Sequence, residues 1–553
     1  MAAQSKKNNF LMQGGILAMA GILSRLIGIL FRIPMVHIIG DAGMGVYSTA
    51  YSIYNILLLI SSYSLPMAVS RLVSSRLSLK QFRSAKQIFF FSFLFGAALG
   101  FLAAAVMFFG ADFLAGTLMN MPRAALAVRT LAPTVFVMGM LGVVRGFFQG
   151  HGTMIPTAVS QILEQILHVL ISVLAGYLMF QRGLTLDAGG EANFAISYGA
   201  AGATIGTGVG ALTALLFVGF IYLLYRKTFL ARCEKDIVSQ PEPASQSLKL
   251  IVLTALPILI SATMANLSNL IDQSIYGHFM GQERIAEYET LWGVFNAKYL
   301  LLTNLPIAIA SAMSASTLPS VSAAISRGDL EETREKAGKA IRVIVLIAMP
   351  ASVGLMVLGK PCFDLLFRSG TNEIAGAMML WGAFAVLTFS LSTVCVGIMQ
   401  GCGHYWTPIV NYAFALLTHI PLLYLSLYVF KWEIYGVVIC YVLYALACCV
   451  FNLLSLRRNI GYRQEFLKSF VLVLASSLIM GAAAFGCYKG LYALHLGNTV
   501  SLIISILLAF AVYFAALLLT HAVQEEELLM FPKGSLLVRF AKKLHLLKTE
   551  GQA

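Results

Sequence analysis

About fourteen apolar runs, most of 20 residues or longer, follow one another along this chain with only short charged or Gly/Pro-rich breaks between them. Some 20 apolar residues are what an α-helix needs to cross a hydrocarbon core about 30 Å thick. No water inside that core bonds a free N–H or C=O, so the runs must fold as helices. The composition agrees: 59% of the 553 residues are hydrophobic and 11% are charged, against about 25% charged in soluble domains. The first run, 11–39, follows Lys6 and Lys7. It is longer than a signal-peptide core and ends without a small-residue cleavage site, so it reads as a retained first span. The predicted fold class is an all-α integral membrane protein.

The predicted spans lie near 11–38, 44–70, 87–110, 122–148, 155–180, 196–225, 249–278, 290–323, 341–359, 374–399, 408–430, 434–456, 469–492 and 498–522. With the amino terminus in the cytoplasm, the inward segments hold 26 of the 38 Lys and Arg residues, among them Arg71, Lys80, Arg226, Arg334 and Arg457. The outward segments hold eight, from Arg123 to Lys489. Basic loops belong on the cytoplasmic side, and an odd number of missed spans would scramble the alternation. The formal charge of +14 therefore points to anionic lipid and not to nucleic acid. The eight cysteines include no CxxC pair and read as small buried apolar residues, without metal or disulfide roles.

The chain repeats itself. Residues 146–152 read GFFQGHG before Pro156, and 397–403 read GIMQGCG before Pro408. Likewise Leu65-Pro66-Met67-Ala68 returns as Leu305-Pro306-Ile307-Ala308. Both matches pair a span with the sixth span after it, so the repeat is parallel and comprises six-helix units. The expected domains are a first lobe (1–228), a cytoplasmic linker (229–248), a second lobe (249–458), two added spans (459–523) and a tail (524–553). In the tail, Leu537, Phe540, Leu544 and Leu547 recur at helical spacing among Arg539, Lys542, Lys543 and Lys548. That pattern suits a helix lying on the inner leaflet, or else a frayed, solvated end. Transporters built from repeats place their substrate between the halves and rock one against the other.

Six ionisable residues fall inside predicted spans: Arg25, Arg32, Arg145, Glu164, Asp272 and Lys298. A charge at the bilayer centre costs about 2.5–3.5 kcal/mol on insertion scales, so each needs a partner or a wet cavity. Arg32 is two helical turns beyond Arg25, on one face, and Lys298 lies on the eighth span. Against these three cations the first, seventh and eighth spans supply one anion, Asp272. The surplus positive charge suits a phosphate, which Arg recognises through paired hydrogen bonds. The alternative is that the arginines bond backbone carbonyls or snorkel. Arg145 and Glu164, joined by a short Gly-rich turn, read as a structural ion pair. His168, one turn from Glu164, reads as a proton-linked element or a satisfied core histidine. Asp272 is expected to serve a coupling cation, Na+ or H+, with Asn411 and Thr418, or to pair with an arginine. No Walker lysine loop, HExxH or GxSxG is present, so the chain reads as a transporter and not an enzyme, without a bound cofactor.

Ser24-Arg25-Leu26-Ile27-Gly28, Arg32-Ile33-Pro34 and Gly40-Asp41-Ala42-Gly43-Met44-Gly45-Val46-Tyr47, with Leu65-Pro66-Met67-Ala68-Val69-Ser70-Arg71 and the turns at Gln149 and Gln400, resemble the polysaccharide-flippase branch of the multidrug/oligosaccharidyl-lipid/polysaccharide exporter superfamily. The likeness extends to its MurJ-like and stage V sporulation protein B-like members. It implies two lobes around a central cavity in a bacterial cytoplasmic membrane. It also implies flipping of an undecaprenyl-pyrophosphate-linked sugar such as lipid II, alongside cell-wall synthesis proteins. The family's cavity arginines lie on helices 1, 2 and 8. Arg25 matches the first helix-1 position, Arg32 stands one residue from the second, and Lys298 replaces the helix-8 arginine. Helix 2 carries Tyr51, Tyr54 and Asn55 where the family has Arg. Asp272 resembles a helix-7 cation-site acid. Competing readings are a cation-coupled multidrug exporter, which calls for an acidic cavity, and a non-transporting assembly factor. The topology is testable with a reporter enzyme active only outside the cytoplasm. Fused after Arg182 or Lys489 it should be active, and fused after Lys235 or Ala553 silent; the opposite pattern overturns the orientation.

Overall fold

The computed structural model describes residues 2–187, 193–239, 243–464, 466–520 and 522–523, without the side chains of 2–18, of Arg25 and of a few other helical positions. The predicted tail helix, 524–553, and residues 240–242 of the predicted linker lie outside the described residues. Among those described there is no strand. The α-helices are α1 (Ala2–Leu58), α2 (Leu65–Ser78), α3 (Phe82–Phe109), α4 (Ala125–Gly150), α5 (Ile155–Leu186), α6 (Asn193–Glu234), α7 (Ala244–Met280) and α8 (Ile285–Gly293). They continue as α9 (Leu300–Ser326), α10 (Leu330–Leu366), α11 (Asn372–Gly382), α12 (Phe384–Gly401), α13 (Trp406–Tyr424), α14 (Glu433–Ile460), α15 (Leu472–Ala493) and α16 (Gly497–Leu519).

Twelve helical stretches among the described residues are long and apolar enough to cross a membrane. The first two predicted spans run together through Gly40 in α1, where the count finds one stretch, Leu30–Ser78. Within α7, whose side chains are not all described beyond Leu256, the apolar stretch Ala244–Leu256 is shorter than a span. The sequence expectation of about fourteen includes both of these.

The repeat is visible in the backbone. Gly40 has φ 70°, ψ 178° and Gly281 has φ 69°, ψ 176°, a conformation that a Cβ strongly disfavours. Three residues earlier, His37 Nδ1 and His278 Nδ1 each lie 2.7 Å from the carbonyl four residues back, that of Ile33 and of Ser274. Tyr47 and Tyr288, then Asn55 and Asn296, stand at matching distances beyond the two glycines. At the predicted match of GFFQGHG with GIMQGCG, His151 and Cys402 share φ −79°, ψ 0°, and Gly152 and Gly403 follow at φ 78° and 84°. The N–H of Gly152 donates to Gln149 O at 2.9 Å, and that of Gly403 to Gln400 O at 3.0 Å. A left-handed glycine of this kind closes a helix carboxyl end by satisfying its orphan carbonyls.

Two compact units divide the chain. One comprises Met1–Ala297 with Leu423–Ile434, the other Lys298–Leu422 with Tyr435–Ala553. The repeat places a lobe boundary at 229–248, whereas the compact units part at Ala297, inside a π-helical stretch (Val294–Tyr299) between α8 and α9. The cause is a seam within the first unit. Asn120 Nδ2 donates to Gly277 O at 2.7 Å, Ser274 Oγ to Leu118 O at 2.7 Å and Tyr288 Oη to Met119 O at 3.0 Å. Arg123 pairs with the fully buried Glu289 at 2.8 Å. These bonds hold α7 and α8 against the loop before α4. The first unit's core gathers Leu65, Val69, Ile88, Val143, Phe147 and Phe229; the second's gathers Ile341, Ile344, Val394, Ile398, Leu456 and Leu517.

Beyond α6 the chain is pinned at Asp236, which is 4% exposed. Burial alone would raise its pKa. The bonds it accepts from Ser239 Oγ (2.6 Å), Arg83 N (2.8 Å) and the N–H groups of Ser239 and Val238 (2.9 Å each) outweigh that and hold it below the usual carboxylate range.

Where α1 crosses α8 the backbones touch. A Cβ on Gly45 would lie 1.9 Å from Glu289 O, and one on Gly293 would lie 1.8 Å from Asp41 O. Gly45→Ala should therefore lower the folded protein's stability by about 1–3 kcal/mol or more. Gly219→Ala, whose Cβ meets nothing within 4 Å, should be neutral or stabilising by up to ~1 kcal/mol. Thermal melts of the purified variants check the contrast.

Candidate functional site

Three helical faces in the first unit enclose a cavity of about 210 Å³. Its lining is Ser24, Gly28, Phe31 and Arg32 from the first half of α1, Tyr47 and Tyr51 from its second half, and Gln165 and His168 from α5. The spacings are helical: Ser24, Gly28 and Arg32 recur every four residues, Tyr47 and Tyr51 are four apart, and Gln165 and His168 are three apart. Such neighbours share one face of a helix. Gly28 keeps its wall low, since a Cβ there would meet Gln165 Oε1 at 3.4 Å.

Aromatic rings form most of that wall. Phe31 packs at 5.5 Å from Tyr47 and 5.0 Å from His168, and Tyr47 stacks on Tyr51 at 5.6 Å with 23° between their planes. Tyr51 continues to Tyr54 at 5.3 Å. The polar groups are the Arg32 guanidinium, two phenols, a carboxamide, an imidazole and the Ser24 hydroxyl, which donates to Gln161 O at 3.4 Å. A concave site where aromatic surface and convergent polar groups contribute about equally has the make-up of a ligand site.

Arg32 Nη1 donates to the carbonyl of Asn296 at 2.5 Å. The carbonyl-bonding alternative thus accounts for one of the five N–H donors of the guanidinium, while Arg32 also lines the cavity. The acceptor belongs to the π-helical stretch Val294–Tyr299, a distortion often found at functional sites. No Asp or Glu is among the lining residues. The nearest acid along α5, Glu164, is engaged with Arg145 at 2.8 Å, and Arg145 Nε also donates to Ser160 Oγ at 2.9 Å. His168 is 7% exposed, and its Nε2 has no hydrogen-bond partner among the described residues.

The other predicted residues lie elsewhere. Arg25 is helical, seven residues before Arg32, and its side chain lies outside the described residues. Lys298 is fully buried in the second unit, where its ammonium donates to Thr371 Oγ1 at 2.6 Å and Asn372 Oδ1 at 3.1 Å and sits 5.5 Å from the Phe367 ring centroid. It is not among the residues lining the Arg32 cavity. Asp272, 1% exposed, is on α7 in the first unit. Asn411 and Thr418 belong to the second unit. The Asn411 amide donates to Asn452 Oδ1 at 2.8 Å and Ser455 Oγ at 2.9 Å, and the Thr418 hydroxyl to Ala415 O at 2.8 Å. Of the lining residues, sequence reasoning assigned only Arg32 to the substrate site; the helical spacing of Ser24 and Gly28 with Arg32, of Tyr47 with Tyr51 and of Gln165 with His168 was the available signal for the rest.

Comparison with known proteins places the chain in a family. The model of the family described as "Polysaccharide biosynthesis protein" matches residues 10–325, and that described as MatE matches residues 257–425. Lipid II flippase MurJ of Bacillus subtilis (strain 168) is 24% identical over 490 residues, which cover 85% of this chain and 86% of the relative. Stage V sporulation protein B of the same organism is 24% identical over 365 residues, covering 66% and 68%. Among solved structures, the inward-facing conformation of a multidrug resistance MATE family transporter of the MOP superfamily superposes with a TM-score of 0.63 at 17% identity. That superposition covers 79% of this chain and 94% of that one. At such identity the likeness is one of fold.

The Arg145–Glu164 pair, with side chains 10% and 16% exposed, has a measurable consequence. Removing either partner alone should destabilise the protein by about 3–5 kcal/mol by leaving the other charge buried and unpaired, and removing both should cost less than the sum. A double-mutant cycle read by thermal unfolding checks it; strictly additive losses would contradict the pairing.

Proposed function

The chain belongs to the polysaccharide biosynthesis protein family, and from that premise we propose that it flips an undecaprenyl-pyrophosphate-linked cell-wall oligosaccharide, the peptidoglycan precursor lipid II foremost, across the cytoplasmic membrane by alternating access. One observation carries the reading: the Arg32 cavity has a guanidinium in its wall and no carboxylate among its lining residues. Within the apolar interior a lone cation favours an anionic ligand, because Coulomb attraction grows as the dielectric falls. A pyrophosphate supplies the oxygen pairs that a guanidinium fork bonds two at a time. The similarity to proteins named lipid II flippase MurJ and stage V sporulation protein B supports the same cargo class.

In this mechanism Arg32, with Arg25 two turns before it, holds the pyrophosphate while the prenyl tail stays in lipid. The ammonium of Lys298, bonded to Thr371 and Asn372, serves to anchor α11 instead of touching cargo. Asp272 is assigned to a coupling cation, Na+ or H+. An exporter of cationic drugs would need an acidic wall where Arg32 stands, and an assembly factor would be indifferent to neutralising the arginines.

Complementation of a strain depleted of its lipid II flippases tests the reading. The wild-type chain should restore growth, while Arg25→Ala and Arg32→Ala, present at normal membrane levels, should fail or rescue poorly. Losing one charge-assisted phosphate contact is worth about 1.5–3 kcal/mol, a roughly 10- to 100-fold loss of cargo binding. A well-expressed wild type that fails to rescue overturns the peptidoglycan cargo, and equal rescue by all three overturns the role of the arginines.

A further inference from the structure

We propose that the cavity beside Arg32 is a carbohydrate subsite. It takes one pyranose ring of the cargo against the Tyr47–Tyr51 wall and bonds the ring's hydroxyls through His168 and Gln165. The proposal rests on the lipid-linked-sugar reading and says which part of that cargo the cavity receives.

Size comes first. The cavity is partly open and holds about 210 Å³, more than the roughly 150 Å³ of an engineered cavity that admits a benzene ring, so a single six-membered ring with substituents fits. The chemistry of the walls then separates the candidates. A prenyl tail would use the aromatic rings but leave the guanidinium, imidazole and carboxamide without partners, which buried polar groups do not tolerate. A bare phosphate would use Arg32 but face the negative π-surfaces of Phe31, Tyr47 and Tyr51. A cationic drug would suit those rings and be repelled by Arg32. A pyranose satisfies both sets at once, because its C–H face is apolar and its rim carries hydroxyls that donate and accept.

The positions agree with that division. Tyr47 and Tyr51, stacked at 5.6 Å with 23° between their planes, both line the cavity. His168 is buried against Phe31, with Nε2 lacking a partner among the described residues and its residue lining the cavity. An imidazole nitrogen left without a bond in a buried site costs stability unless a ligand supplies one. Gln165, one turn before it on α5, adds a carboxamide that both donates and accepts. Arg32 stands on the α1 face of the same cavity, the right neighbour for the phosphate attached to a sugar's anomeric carbon.

The test compares two probes on the full-length protein in detergent: a short-chain prenyl pyrophosphate carrying one N-acetylhexosamine, and the same prenyl pyrophosphate without sugar. Wild type should bind the sugar-bearing probe about tenfold more tightly, the scale of one aromatic stacking contact with its bonds. Tyr51→Leu and His168→Phe should each bring the ratio of the two affinities toward one, and Tyr51→Phe, which keeps the ring face, should restore most of it. A wild-type ratio near one, or a ratio unmoved by both Tyr51→Leu and His168→Phe, overturns the subsite while leaving the lipid-cargo reading intact. Binding of neither probe by wild type overturns that reading as well.

Discussion

The proposed function depends on a guanidinium held within a membrane-spanning segment beside a cavity with no acid among its described lining residues. Arg32 gives one donor to a backbone carbonyl, that of Asn296, and the neighbouring ion pair of Arg145 with Glu164 is closed on itself. A charge in this position costs several kcal/mol against water, and the surrounding rings do not offset it by pairing. Arrangements of that kind persist where a ligand supplies the missing charge. The aromatic wall, the His168 imidazole and the Gln165 carboxamide gain their meaning from that one cation, because together they describe a partner that is anionic at one point and amphiphilic around it.

The scaffold that places Arg32 follows from the repeat. Gly40 and Gly281 adopt the same left-handed conformation, so each unit of the duplication opens with a helix, a glycine break and a second helix. In the first unit that break turns the Tyr47–Tyr51 face back toward Arg32. In the second repeat, still within the first compact unit, it directs α8 across α1, where Gly45 and Gly293, lacking side chains, let each helix press against a carbonyl of the other. The π-helical stretch Val294–Tyr299 follows directly. It presents the Asn296 carbonyl to Arg32 and, two residues on, commits Lys298 to Thr371 and Asn372. A single six-residue irregularity thus serves a residue of each compact unit.

Much of this was legible in the sequence because lipid imposes simple rules. Apolar length marks the spans, and the Gln-Gly-x-Gly turns at Gly152 and Gly403 showed the parallel repeat. The Arg145–Glu164 pairing was readable too, since a short turn left the two charges few other partners. The cavity was not. Phe31 and Tyr47 look like ordinary core aromatics, and only the packing of α5 on α1 shows that they share a wall with His168. The destination of Lys298 was equally hidden, because Thr371 and Asn372 lie far along the chain, at the start of α11, and neither carries a charge to betray the contact. The seam that joins α7 and α8 to the first unit rests on backbone carbonyls at Leu118, Met119 and Gly277, which no side-chain pattern announces.

The central claim, that the membrane interior of this protein is built for an anionic amphiphile, is tested most directly by transport in proteoliposomes. With purified protein reconstituted at known density, protein-dependent movement across the bilayer is measured for a fluorescent prenyl-pyrophosphate saccharide and for a cationic dye. The anionic lipid-linked saccharide should cross and the dye should not. Movement of the dye without the saccharide would contradict the claim.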